Sequence, residues 1–190
     1  MKNSRKVKDQ LSVYRFVGDG FILRPFRPGD APDIAKHANN SRIAANLRDV
    51  FPHPYSLKDA KAFISFVAAE PNNLVLAIEV DGEACGAIGL HGMTDIYRFN
   101  AEIGYWLSEK YWGRGIMSKA VTEMVRTGFT KFHWTRIWAG VFYFNTASAR
   151  VLEKCGFRRE AVHRGAVTKN GNTFDEFIYA LLKDEWSGRE

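Results

Sequence analysis

A chain of 190 residues is long enough for one domain with a full core and short for two. Its 46% apolar, 14% aromatic and 25% charged residues exclude a disordered chain. The formal charge of +6 is mostly a tail, because Lys2, Arg5, Lys6 and Lys8 precede the first acid and leave only +2 for the rest. The basic start reads as a frayed, solvated N-terminus, with a docking role for nucleic acid or ribosome as the alternative. Two cysteines, Cys85 and Cys155, are too few for a disulfide framework, and no apolar run approaches the ~20 residues that cross a bilayer. No signal-like stretch follows the basic start. A soluble cytoplasmic protein is expected, with a single domain at 13–186 between a basic tail, 1–12, and a short C-terminal tail, 187–190.

In chain order, Phe21 to Phe26 reads as a strand ended at Pro25, and Gly29-Asp30 opens a helix with Ala31, Ile34, Ala35 and Ala38 on its apolar face. Asn39-Asn40-Ser41 marks its end. Arg48 to Tyr55 contains two prolines and is expected to be an extended, aromatic-rich loop. Ser56 is placed to N-cap a helix through Ala69. Leu74–Val80 and Glu83–His91 read as antiparallel strands joined at Asp81-Gly82.

Phe99–Leu107 alternates as a strand, with Asn100, Glu102, Gly104 and Trp106 on one face. A helix is expected over Ser118–Lys131, a strand over Arg136–Phe142 and a short helix over Ala147–Lys154, stopped at Gly156. A strand over Arg158–Arg164 and another over Thr173–Leu182, turning at Asn170-Gly171-Asn172, complete the pattern. Hairpin-linked strands followed by strand-helix-strand units predict a mixed sheet with helices on both faces, not a doubly wound one.

The segment Trp112-Gly113-Arg114-Gly115-Ile116-Met117 lies between a strand and an amphipathic helix. Its glycines let backbone come close to a ligand, and a helix start favours anions, so a pyrophosphate suits it. A nucleotide P-loop needs Gly-Lys-Ser/Thr, whereas Gly115 is followed by Ile116-Met117. A dinucleotide fingerprint needs a third glycine where Ser118 stands and an acid about 20 residues on, where Lys131 to Trp134 offer none.

Several ordered motifs give the remaining reading. They are Ala101-Glu102-Ile103-Gly104-Tyr105-Trp106-Leu107, Tyr111 through Ala120, Asn145-Thr146-Ala147-Ser148, Leu152 through Phe157, and Asp175 through Leu182 ending at Glu185-Trp186. With these the chain closely resembles the GNAT acetyltransferases, in the branch similar to the RimJ and RimL ribosomal-protein N-terminal acetyltransferases. Of the general Q/R-x-x-G-x-G/A pattern only Gly115 is kept; Trp112 and Met117 are features of the RimJ-like branch. The resemblance implies a mixed α/β fold with a mostly antiparallel, six- to seven-stranded sheet and splayed central strands. It also implies acetyl-CoA as the cofactor.

By the same resemblance, Trp112, Gly113, Arg114, Gly115, Ile116, Met117 and Ser118 bind the pyrophosphate. Backbone amides near Tyr105, Trp106 and Leu107 take the pantetheine arm, and Gly104 marks a bulge or merely relieves crowding. Asn145 and Ser148 form the second half of the cofactor site, or simply cap a helix. Many GNATs place a tyrosine acid where this chain has Leu152, so Ser148 is the replacement candidate. Glu102 is the candidate general base and substrate contact, or a strand glutamate facing water. Asp175 is structural or substrate-adjacent.

Phe51, His53 and Tyr55 are candidates to line an acceptor cleft, and aromatics there are also ordinary core. The five histidines lack metal-ligand spacing, so no metal is expected. Both cysteines read as packing residues. The implied activity is transfer of an acetyl group to a primary amine, by direct attack in a ternary complex. The acceptor is a protein N-terminal α-amine or a small amine such as a polyamine, amino acid or antibiotic. A catalytically silent CoA-binding sensor is the reading from another class. No membrane or nucleic-acid partner is expected, and the oligomeric state stays open, a homodimer included.

Overall fold

The computed structural model describes residues 14–70 and 72–186. The tails expected at 1–12 and 187–190 lie outside them. Eight strands occur among the described residues: β1 (Phe16–Gly18), β2 (Phe21–Arg24), β3 (Asn73–Val80), β4 (Glu83–Gly92), β5 (Asn100–Leu107), β6 (Arg136–Phe142), β7 (Arg158–Lys169) and β8 (Asn172–Leu182). Helices are α1 (Ala31–Ala38), α2 (Ser41–Ala44), α3 (Leu57–Ala69), α4 (Ile116–Lys131) and α5 (Thr146–Lys154). The fold class is mixed α/β with mostly antiparallel strands, as expected. The strand count is eight rather than six or seven, because the three-residue β1 pairs with β2.

The chain falls into two compact units, one running to His91 and including Tyr105–Ile116, the other Gly92–Gly104 with Met117 onward. In the first, β1, β2, β3 and β4 pair antiparallel in sequence order. The Asp81-Gly82 turn works because both residues adopt positive φ, 53° and 83°, the conformation a two-residue hairpin demands. Ser56 caps α3 in a reciprocal box with Asp59. The core joins Ile34, Ala38, Ile43, Ala60 and Ile64 from the helices to Ala77, Ala84, Ala87 and Trp106 from the strands. Apolar helix faces thereby leave water, at roughly 25 cal/mol per Å² buried. Arg24 is buried at the end of β2, held by Asp30 at 2.7 and 2.8 Å and by Glu79.

In the second unit, β5 lies parallel to β6, β6 antiparallel to β8, and β8 antiparallel to β7. The β5–β6 ladder runs only from Asn100↔Arg136 to Glu102↔Trp138, while β6 continues to Phe142 against β8. Alternate residues Ile137, Ala139 and Val141 are buried, and Trp138, Gly140 and Phe142 face the other, half-exposed side. Strand β7 extends five residues beyond expectation, to Lys169, through two irregularities in register, the second spanning Gly165 at φ 58°. A bulged strand loses the alternation by which a sequence reveals it.

Candidate functional site

In the first unit β5 ends at Leu107, and the chain passes through Ser108 and a 3-10 turn, Glu109–Tyr111, to Trp112. Gly113 and Gly115 then take φ of 75° and 76°. L side chains rarely adopt this conformation, so the turn requires its glycines. A Cβ at either position would meet nothing within 4 Å, which leaves the outside of the turn open. Helix α4 begins at Ile116, two residues earlier than expected, so the glycine turn runs directly into the helix. Ile116 and Met117 are buried and Arg114 is exposed. Buried side chains anchor the helix start, whose first amides have no partner within the helix.

Trp112 donates its indole N–H to the Leu107 carbonyl at 2.7 Å. Strand β4 approaches the same strand end closely, since a Cβ on Gly86 would lie 2.6 Å from the Trp106 carbonyl. Tyr105 is half-buried, and Trp106 and Leu107 are buried. The Phe51 ring is tilted against Tyr55, at 4.8 Å between centroids, and meets Trp106 edge-on at 5.8 Å. Tyr55 is a core residue whose hydroxyl is pushed up to about 12 by burial and by Asp59. His53 is exposed.

In the second unit Asn145 N-caps α5, its Oδ1 accepting from the Ser148 amide at 3.1 Å. Capping and cofactor contact are separable, because serine is an equally good cap. With the cofactor contact that the resemblance implies, Asn145→Ser should keep the melting temperature and weaken CoA binding, whereas Asn145→Ala should also cost about 1 kcal/mol of stability. Calorimetry with CoA and thermal denaturation read the two effects. Ser148 is half-buried, and Leu152, where a tyrosine acid would stand, is fully buried.

Glu102 sits opposite Trp138, and cross-strand partners share a face. The same rule adds Gly140, Phe142 and, through the Phe142↔Glu176 pair, Glu176. The Glu176 carboxylate occupies the hollow over Gly140, where a Cβ would lie 2.4 Å from its Oε1. Glu176 escaped sequence reasoning because only the β6–β8 register brings it to this face. Gly104 is exposed, and a Cβ there would meet nothing within 4 Å, so crowding does not explain that glycine. Tyr143, Phe144 and Phe174 form an aromatic group beside this face, with centroids 5.2–5.7 Å apart. Asp175 accepts the Gly165 amide at 2.8 Å on its side chain and the Tyr143 amide at 3.1 Å on its carbonyl.

Burial pushes the Cys85 thiol up to about 12 and also raises that of Cys155, which disfavours the thiolate at neutral pH. Neither thiol is primed as a nucleophile. No group of histidine, cysteine and acidic residues able to hold a metal occurs among the described residues, and no described helix is long and apolar enough to cross a membrane.

The chain matches the family described as the acetyltransferase (GNAT) domain over residues 21–158, and it belongs to that family. It is therefore an acetyl-CoA-dependent acyltransferase, with likeness to the RimJ branch. The N-acetyltransferase YoaA of Bacillus subtilis is 38% identical over 170 residues, 87% of this chain and 94% of its own length. YdaF of the same organism, for which a ribosomal N-acetyltransferase role has been put forward, is 33% identical over 122 residues. That match spans 64% of this chain and 66% of YdaF. Among solved structures, Mycobacterium smegmatis RimJ in complex with CoA-disulfide superposes with a TM-score of 0.80 at 26% identity, covering 88% of this chain and 84% of RimJ.

Proposed function

We propose that the protein acetylates the N-terminal α-amine of a protein, of the ribosomal type, in the cytoplasm. Similarity to YdaF and RimJ supports the branch. The observation that carries the amine is the half-exposed face of β5, β6 and β8, where Glu102 and Glu176 lie among Trp138, Phe142 and Phe174. Carboxylates attract an ammonium group, and aromatic rings hold the apolar stem that bears it.

Acetyl-CoA supplies the activated acyl group. The glycine turn and the start of α4 would take its pyrophosphate, and the resemblance alone assigns Asn145 to its arm. Glu102, directly or through a water, would remove a proton from the acceptor ammonium, leaving a nucleophilic lone pair. Attack of the amine on the thioester carbon would expel the CoA thiolate, and Ser148 would relay to its sulfur the second proton shed by the nitrogen as the amide forms. Much of the acceleration comes from positioning, so no protein nucleophile is needed.

The test is CoA-thiol release from acetyl-CoA with a panel of N-terminal peptides and small amines. Higher kcat/KM on peptides supports the proposal. Turnover on small amines alone would replace it with the small-molecule reading, and CoA binding without turnover on any amine would replace it with the sensor.

A further inference from the structure

The glycine turn is open on its outer side, yet the arm leading into it is gripped at four of five successive residues. Ser108, buried after β5, donates its amide to the Cys85 carbonyl at 2.8 Å, and its hydroxyl lies 3.0 Å from Nδ1 of buried His37. The other His37 nitrogen lies 2.7 Å from Glu83, which Lys36 also holds at 2.8 and 3.0 Å. Glu109 accepts from Asn40 Nδ2 at 2.8 Å and pairs with Arg42. Tyr111, almost fully buried, points its hydroxyl at Asp81, 3.4 Å away. The Arg42 guanidinium also lies over the Trp112 ring, 5.4 Å from its centroid.

These grips come from the end of α1, from α2 and from the β3–β4 hairpin. Asn40 has a second task, since its Oδ1 caps α2 by accepting the Arg42 amide at 2.8 Å. One asparagine thus fixes the short helix that presents Arg42 and ties that helix to Glu109. A turn held in its binding conformation loses less entropy when a ligand arrives. We propose that Glu109, gripped by Asn40 and Arg42, is a positioning residue that holds the Trp112–Gly115 turn ready for the cofactor pyrophosphate, with His37 and Ser108 as a second anchor. The inference rests on the turn being the pyrophosphate site.

Glu109 gives the proposal a sign that simple electrostatics reverses. A carboxylate near an anion site repels the anion, so its removal should tighten CoA if charge alone matters. A positioning role requires the opposite. The experiment compares CoA affinity by calorimetry, KM for acetyl-CoA, kcat and melting temperature in the full chain and in Glu109→Ala, Glu109→Gln and Gly115→Glu. Glu109→Ala should weaken CoA about tenfold and raise KM equally, with kcat at saturation within about twofold of the parent. Glu109→Gln, which keeps an acceptor for Asn40, should recover part of that loss.

Unchanged or tighter CoA binding in Glu109→Ala, while Gly115→Glu loses binding, overturns the positioning role and keeps the turn as the site. A lowered melting temperature with CoA affinity intact does the same, reducing Glu109 to a stabilising contact. Unchanged CoA affinity in Gly115→Glu would instead remove the pyrophosphate from the turn.

Discussion

Gly115→Glu is expected to reduce CoA affinity by at least about a hundredfold, equivalent to about 2.7 kcal/mol. Three effects act in one direction. The carboxylate would stand where the helix start favours a ligand's negative charge, so attraction becomes repulsion. The side chain would occupy the open space outside the turn that no other atom fills within 4 Å. A backbone at φ 76° also strains any residue with a Cβ, by about 1–2 kcal/mol. Gly115→Ala separates the last effect from the others, because it adds the strain without charge or bulk. Its CoA affinity should fall less than tenfold, and equal losses in the two variants would show that turn geometry, not the anion site, was disturbed.

Glu102→Gln is expected to lower kcat by about a hundredfold or more, within the range typical of losing a general base. The amide is nearly isosteric, so the β5–β6 ladder at Glu102↔Trp138 should persist. CoA affinity should therefore stay within about twofold of the parent. The pH-rate profile is the discriminating measurement: the acid limb that reports the base should vanish. An unchanged rate and profile would leave Glu102 as a strand residue, and a raised acceptor KM with kcat intact would make it a substrate contact only.

A third expectation concerns stability. Hydrogen bonds from Lys36, then His37, pull the Glu83 carboxyl from its ordinary 4.5 down to about 2. A group with a depressed folded value stabilises the fold fully above its unfolded value and loses that contribution as pH falls through the folded one. Parent and Glu83→Gln should thus differ most in denaturation midpoint above pH 4.5 and converge as pH falls toward 2. Added salt should narrow the gap, since the pair is exposed. A difference independent of pH would show that packing, not charge, distinguishes the two.

Features governed by neighbouring residues were legible in the sequence. Asp81-Gly82 and Asn170-Gly171 announce hairpin turns because positive φ is a local demand, and all four residues adopt it. Ser56 and Gly156 mark helix ends for equally local reasons. The glycine turn is of this kind, which is why its approximate position could be read directly. Short or irregular elements were hidden: β1 has three residues, too few to show alternation, and α2 has four residues within a segment whose Asn39-Asn40-Ser41 looked only like a helix end.

Contacts across the sequence were hidden for a different reason. The His37–Ser108 and Asn40–Glu109 bonds join residues about 70 positions apart, and neither residue type signals its partner. Glu176 likewise reaches the face of Glu102 only through the β6–β8 register. Tyr55 illustrates a limit of composition, since an aromatic beside prolines suits a cleft as well as a core, and here it is buried in the core.

The most direct test of acetyl transfer to a protein α-amine is mass spectrometry of a ribosomal-protein N-terminal peptide after incubation with the full chain and acetyl-CoA. The peptide should contain at least one internal lysine. A single acetyl group on the N-terminal nitrogen, absent with Gly115→Glu and strongly reduced with Glu102→Gln, is the predicted result. An acetyl group on the lysine instead, or CoA-thiol release with no acetylated peptide at all, would contradict it.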